Sequence, residues 1–139
     1  LRARITDEFS EEHLHRPMRV SVTSFGYKHG IPRDVDLLFD VRFLPNPHWE
    51  PSLRPLSGLD RPVREYVLAQ TDAPSFLSKV EDLLDFLIPR FEEEGKSYLS
   101  IGIGCTGGHH RSVVLVEELG RWLESRGISA SVWHRDIEE

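Results

Sequence analysis

The chain has a single cysteine, Cys105, in 139 residues. One thiol cannot build an internal disulfide framework or a cysteine-rich zinc site. Such sparing use fits a reducing compartment. Long apolar runs are also missing: none approaches the ~18 residues of a membrane span. No basic start followed by an apolar segment marks a signal peptide. Positive charge is not in excess, since 17 Lys and Arg face 23 Asp and Glu, a formal net charge of −6. That balance excludes a nucleic-acid binder held by net charge alone, while leaving room for a local basic patch. The Walker run of Gly, four residues, Gly-Lys and Ser or Thr does not occur, so this chain by itself is not expected to be an ATPase. His13, His15, His29, His48, His109, His110 and His134 show no metal-ligand spacing.

The composition, 39% hydrophobic and 29% charged, belongs to a folded chain rather than a disordered one. The length suits one domain. Leu1 to Arg16 is polar, with Leu1, Ile5, Phe9 and Leu14 as a thin apolar stripe, and reads either as a helix trailing from an upstream element or as a cloning or fraying end. The chain opens at Leu1 rather than Met, which leads us to expect a piece of something longer. Arg19–Phe25 alternates as a strand does. Leu37–Phe43, apolar in a block before its charges, reads as a buried parallel strand. The link between them, residues 27–36, is near the lower limit for a parallel crossover. Five prolines between residues 44 and 62 preclude a regular helix or central strand there. Long loops of this kind in compact domains usually carry function.

Two helices follow. Asp60 is placed to cap the first, with Pro62 in its first turn. The second carries Phe76, Leu77, Val80, Leu83, Leu84, Leu87, Ile88 and Phe91 at helical spacing, and Pro89 is expected to kink or end it. Glu92–Glu94 reads as a solvated surface run. Tyr98–Gly104 is a third strand with Leu99, Ile101 and Ile103 on one face and small residues on the other, so something packs closely there. A helix from about Ser112 to Arg126, with Val116, Leu119, Gly120 and Leu123 inward, stops at Gly127. A fourth strand spans residues 129–134. This order predicts an α/β fold: a mostly parallel sheet of about four strands flanked by helices. Trp49, Trp122 and Trp133 are expected to pack.

The strongest chemical signal is Cys105-Thr106-Gly107-Gly108-His109-His110-Arg111-Ser112, a loop between strand and helix. The two glycines let backbone N–H groups turn toward a ligand, and the helix aims the positive end of its dipole there. Thr106 and Ser112 add hydroxyls, and Arg111 a planar fork matched to phosphate or carboxylate. These features describe an anion site. Cys105, five residues, Arg111 and Ser112 also match the spacing of a cysteine-dependent phosphatase loop, where a thiolate attacks phosphorus. A buried structural cysteine is the competing reading. A second cluster is Asp40-Val41-Arg42 with Asn46 and His48. Asp40 and Arg42 leave one face of a strand end, where open α/β sheets bind ligands. Asp40 could accept sugar hydroxyls or an ammonium, and Arg42 and His48 could reach an anion. Alternatively Asp40 and Arg42 form a network that braces the proline loop.

The segments Asp40–Trp49 and Gly104–Val113, with Ser24-Phe25-Gly26-Tyr27-Lys28 upstream and His134-Arg135-Asp136 at the end, resemble the C-terminal domain of the RNase adapter protein RapZ family. The resemblance covers about residues 18–136. It implies an α/β domain similar to a phosphofructokinase subdomain, 18–139, that senses a ligand rather than transforming it. Residues 1–17 would then be a linker or the end of a missing N-terminal P-loop nucleotide-binding domain. It further implies binding of glucosamine-6-phosphate with no cofactor in this domain, and signalling through regulatory protein partners or small RNA. It also implies a cytoplasmic homo-oligomer with no membrane partner. Carried over by residue, the ligand site falls on Ser24, Lys28, Asp40, Arg42, Asn46, His48, Cys105, Thr106, Gly107, Gly108, His110, Arg111 and Ser112. A cysteine phosphatase and an RNA-binding adapter module stand as the alternatives. The chain departs from RNA-binding relatives in its acidic end, Asp136-Ile137-Glu138-Glu139, and in His109, where the family often has Lys.

Overall fold

A computed structural model describes residues 18–138; the polar stretch expected to be helical, 1–16, lies outside the described residues. The described elements run β1 (Arg19–Gly26), β2 (Leu37–Asp40), α1 (Arg61–Leu68), α2 (Asp72–Glu93), β3 (Tyr98–Cys105), α3 (Arg111–Ser125) and β4 (Ser129–His134). The four strands form one sheet in the order β2-β3-β1-β4, parallel throughout. The fold is therefore α/β with a four-stranded parallel sheet flanked by three helices, as the periodicities implied. No helix among the described residues is long and apolar enough to cross a membrane.

The register sets Val20 beside Leu99 and Val22 beside Ile101, so alternation brings these residues to one face with Ile103. That face shares one buried cluster with Val63 and Val67 of α1, Leu77, Val80 and Leu84 of α2, and Val116, Leu119 and Leu123 of α3. The other face carries Ser21, Thr23, Phe25, Ser100, Gly102 and Gly104. Here the small residues serve close approach. A Cβ on Gly104 would lie 2.3 Å from the Phe25 ring and 2.7 Å from that of Tyr27, and one on Gly102 would touch Leu38 at 3.1 Å.

The 27–36 link is short because it has no helix to form. It turns at the 3-10 segment Tyr27–His29 and reaches β2, with β3 lying between β1 and β2. Asp36 fastens it: its N–H donates to the Ser100 carbonyl at 2.8 Å, and its carboxylate accepts from the Ser100 N–H at 2.9 Å.

Several sequence expectations need correction. The second strand ends at Asp40, not Phe43. Val41 N–H still reaches the Gly104 carbonyl, but the Asp40 carboxylate captures the Arg42 N–H at 2.9 Å and turns the chain away. The Asp60 side chain makes no cap bond to the amides of α1; its carboxylate accepts from Ser57 N–H at 2.8 Å instead. Pro89 does not end α2, which runs on to Glu93. Its ring lies on the exposed side, while Leu84 and Ile88 hold the inner face in the core. Leu83 is more exposed than its spacing predicted. Of the tryptophans only Trp122 packs against the core; Trp133, on the sheet face it shares with Thr23, is 62% exposed, and Trp49 is 73% exposed.

The close approach at Gly104 yields a test. Gly104→Ala forces a methyl into the Phe25 and Tyr27 rings, and overpacking of this kind costs about 1–3 kcal/mol. Urea denaturation should show a lowered midpoint with an unchanged slope.

Candidate functional site

β1, β2 and β3 end side by side at Gly26, Asp40 and Cys105. The loop between β3 and α3 starts there. Gly108 adopts φ +83°, which a side chain would resist, and the loop backbone rests against Gly26, where a Cβ would lie 2.4 Å from the Gly107 carbonyl carbon. Lys28 N–H donates to the Thr106 carbonyl at 3.2 Å, and Gly58 N–H to the His109 carbonyl at 2.7 Å. The loop is thus gripped by the chain after β1 and by the proline loop.

A cleft of about 430 Å³ opens between this loop and the proline loop. Of the residues expected at the site, Lys28, Asn46, His48, Cys105, Thr106, Gly107, His110 and Arg111 line it. Trp49, Arg54 and His109 line it as well. Sequence reasoning missed them: Trp49 was assigned to packing, and Arg54 sits in a loop whose course no periodicity predicts. Three cations and no carboxylate are among the lining residues.

Arg111 is the centre of this arrangement. It is 3% exposed. Its Nη1 donates to the carbonyls of Arg42 at 3.0 Å and Leu44 at 2.8 Å. Its Nη2 reaches Thr106 Oγ1 at 3.4 Å. Its Nε is buried with no hydrogen-bond partner among the described residues. A buried guanidinium held by neutral carbonyls, with no carboxylate partner among the described residues, is costly by several kcal/mol. The edge formed by Nε and Nη2 is the one suited to two oxygens of a single anion.

The remaining candidates take supporting places. Asp40 and Arg42 pair with each other, Nη2 to Oδ2 at 2.6 Å and Nε to both carboxylate oxygens at 3.0 and 3.1 Å. The Arg42 guanidinium also stacks 3.9 Å above the Tyr27 ring. The hydrogen bonds from Arg42 hold the Asp40 carboxyl below its ordinary value, and the charges of Arg42 and Arg111 add to this. This is the bracing network that the sequence left as the second possibility for the pair, and neither residue is among those lining the cleft. Asn46 accepts the His48 N–H at 3.1 Å and caps the 3-10 turn Pro47–Trp49. Arg54 Nε donates to the His48 carbonyl at 2.7 Å.

Cys105 is 2% exposed. Its Sγ lies 3.1 Å from Ser112 Oγ and accepts the Ser112 N–H at 3.5 Å. Ser112 is buried and also donates to the Phe25 carbonyl at 3.4 Å. Ser24 is fully buried and bonded to His134, away from the cleft lining. Gly108 turns the loop from behind rather than lining it.

A model of the family described as the RapZ C-terminal domain matches residues 18–138. A nucleotide-binding protein of Rhodospirillum rubrum is 54% identical over 140 residues, covering 100% of this chain and 43% of its own length. Nucleotide-binding proteins of Geobacter metallireducens and Corynebacterium jeikeium are 55% and 51% identical, each across 89% of this chain and 44% and 43% of their own. The chain thus spans less than half the length of these curated relatives.

One ionisation follows from the site's burial. His110 lies under the proline loop with Nε2 2.7 Å from the Leu56 carbonyl. A carbonyl accepts only, so Nε2 carries the proton in the neutral ring. Burial, more than the neighbouring His109 charge, pushes its pKa below 6.5, against the opposing pull of the Leu56 hydrogen bond. Unfolded chains then bind a proton that the folded state resists, so stability falls as the pH drops through the unfolded value near 6.5. NMR titration of the His110 ring should give a midpoint below 6.5.

Proposed function

Because this chain belongs to the RapZ C-terminal domain family, we propose that it is a regulatory domain that binds a phosphorylated amino sugar, glucosamine-6-phosphate, in the cleft at the head of α3. It binds the sugar phosphate without transforming it and needs no cofactor of its own. The observation that carries this reading is Arg111 Nε, buried and without a hydrogen-bond partner among the described residues, on a guanidinium that lines the cleft together with Lys28 and Arg54.

A phosphate there accepts two parallel hydrogen bonds from Arg111. The backbone amides after Thr106 and the dipole of α3 add favourable potential for the negative charge. Thr106 Oγ1, His48 and Lys28 stand within the same lining to orient the rest of the ligand. Tethering Arg111 through Nη1 leaves its donors in place before the ligand arrives, which lowers the ordering cost of binding. Asp40 lies close enough to interact with the charge of Arg111, and the field of its carboxylate, weakened but not abolished by its pairing with Arg42, favours an amino over a hydroxyl substituent.

In the whole protein, the bound sugar phosphate acts as the signal in a cytoplasmic homo-oligomeric adapter that works through regulatory proteins. With a net charge of −6, this chain makes few phosphate contacts, so RNA contributes little to its own partners. A cysteine phosphatase reading is disfavoured by the burial of Cys105 and by a cleft lining without a carboxylic acid to protonate a leaving group.

Calorimetric titration of glucosamine-6-phosphate against glucose-6-phosphate tests the reading. A hydrogen bond to a charged group contributes roughly 1.5–3 kcal/mol, so Arg111→Ala should weaken both sugars on the order of 10–100-fold. Asp40→Asn should narrow the preference for the amino sugar. Full affinity in a folded Arg111→Ala variant sinks the assignment. Aryl phosphates should show no turnover that Cys105→Ser abolishes; robust Cys105-dependent hydrolysis would replace the sensor with an enzyme.

A further inference from the structure

The three residues His134-Arg135-Asp136, where β4 ends, are not among those lining the cleft, yet each grips a different part of its frame. His134 Nε2 faces a Glu117 carboxylate oxygen at 2.7 Å, and Nδ1 faces Ser24 Oγ at 2.7 Å. With Nε2–H donating to the carboxylate, the neutral ring accepts the Ser24 hydroxyl, which ties α3 to β1. Arg135 N–H donates to the Ser24 carbonyl at 3.0 Å and its Nη2 to the Gly30 carbonyl at 2.6 Å.

Asp136 reaches furthest. It is 5% exposed. Its Oδ2 accepts the Gly26 N–H at 2.8 Å, just where β1 leaves the sheet. Arg135 neutralises it through Nε to Oδ1 at 3.0 Å and Nη2 to Oδ2 at 2.7 Å. Gly26 is the surface on which the anion loop rests, and a Cβ on Gly108 would lie 2.7 Å from Gly26 N and 3.0 Å from Asp136 Cβ. Asp136, Gly26 and the Gly107–Gly108 backbone are therefore stacked in contact. Removing the carboxylate strands a buried N–H beneath the loop, and a backbone donor without an acceptor drives local rearrangement. A carboxylate behind an anion site would also repel the ligand were Arg135 not paired with it.

We propose that Asp136, neutralised by Arg135, is a positioning residue for the anion loop: it touches no ligand, but sets where the Gly107 and Gly108 amides stand relative to Arg111. This rests on the sugar-phosphate reading of the cleft for its consequence in binding, though not for its effect on the loop.

The test titrates this chain with glucosamine-6-phosphate and with inorganic phosphate, and measures amide hydrogen exchange without ligand. Asp136→Ala should weaken both ligands roughly tenfold, as loss of one buried hydrogen bond to a charged group implies. It should also speed exchange at Gly26 and Gly108. Asp136→Asn keeps an acceptor for the Gly26 N–H, so it should stay within about threefold of wild type and keep slow exchange. Leu84→Ala, a core truncation in α2 remote from the loop, should lower the melting temperature but leave affinity and loop exchange unchanged, separating positioning from stability. Unchanged affinity and exchange in Asp136→Ala, or an Asp136→Asn variant as defective as Asp136→Ala, overturns the proposal. Should Asp136→Ala fail to fold, the Asn variant alone decides it. If wild type binds neither ligand while Asp136→Ala still frees the loop, the positioning role stands and the sugar-phosphate reading falls.

Discussion

The arrangement turns on one unusual cation. Arg111 is buried at the first turn of α3 and bonded to carbonyls rather than to a carboxylate. Burying a charge in this way is tolerable only if its surroundings supply dipoles or a counter-ion completes the site. The two carbonyls belong to Arg42 and Leu44, so the same guanidinium that faces the cleft also pins the start of the proline loop to the helix. Opening of that loop would release Arg111, and displacement of Arg111 would release the loop.

Around that cation the fold works by close approach. Gly104 admits the rings of Phe25 and Tyr27, and Gly26 admits the Gly107–Gly108 backbone. Tyr27 in turn receives the guanidinium of Arg42, whose other contacts are to Asp40. A continuous stack thus runs from the sheet face through the aromatic pair to the Asp40–Arg42 brace. Ion pairs as exposed as Asp40–Arg42 contribute little to stability by themselves. Its value here is geometric, because it ends β2 and starts the proline loop in a defined direction.

The electrostatics separate into two zones. Carboxylates near the loop are each neutralised by an adjacent arginine, Asp40 by Arg42 and Asp136 by Arg135. Burial pushes the Asp136 carboxyl up, but hydrogen bonds from Arg135 and Gly26 N–H outweigh it and leave the group below its ordinary value. The cations of the cleft lining, Lys28, Arg54 and Arg111, form no ion pair among the described residues. Negative charge is common in this chain, yet Asp40 and Asp136 are each paired with an arginine, and the cleft lining holds cations and no carboxylate, so an acidic chain can still present a positive cleft.

Much of the frame was legible from residues alone. Alternation in Arg19–Phe25 and Tyr98–Gly104, helical spacing in α2 and α3, and the stop at Gly127 identify elements because local periodicity reports which face is buried. The small face of β3 announced close packing before its partners were known. The loop from Cys105 to Ser112 stood out as a strand-to-helix turn with polar groups because its chemistry is contiguous in sequence. Tertiary structure alone decided what depends on distant contacts. It placed β3 between β1 and β2, let α2 continue past Pro89, and bonded Asp60 to Ser57. It drew Trp49, Arg54 and His109 to the cleft, turned Asp40 and Arg42 toward each other, and set Asp136 beneath Gly26. The reason is physical: periodicity encodes burial along one segment, whereas the acceptor of a given hydrogen bond depends on segments that meet only after the chain has folded.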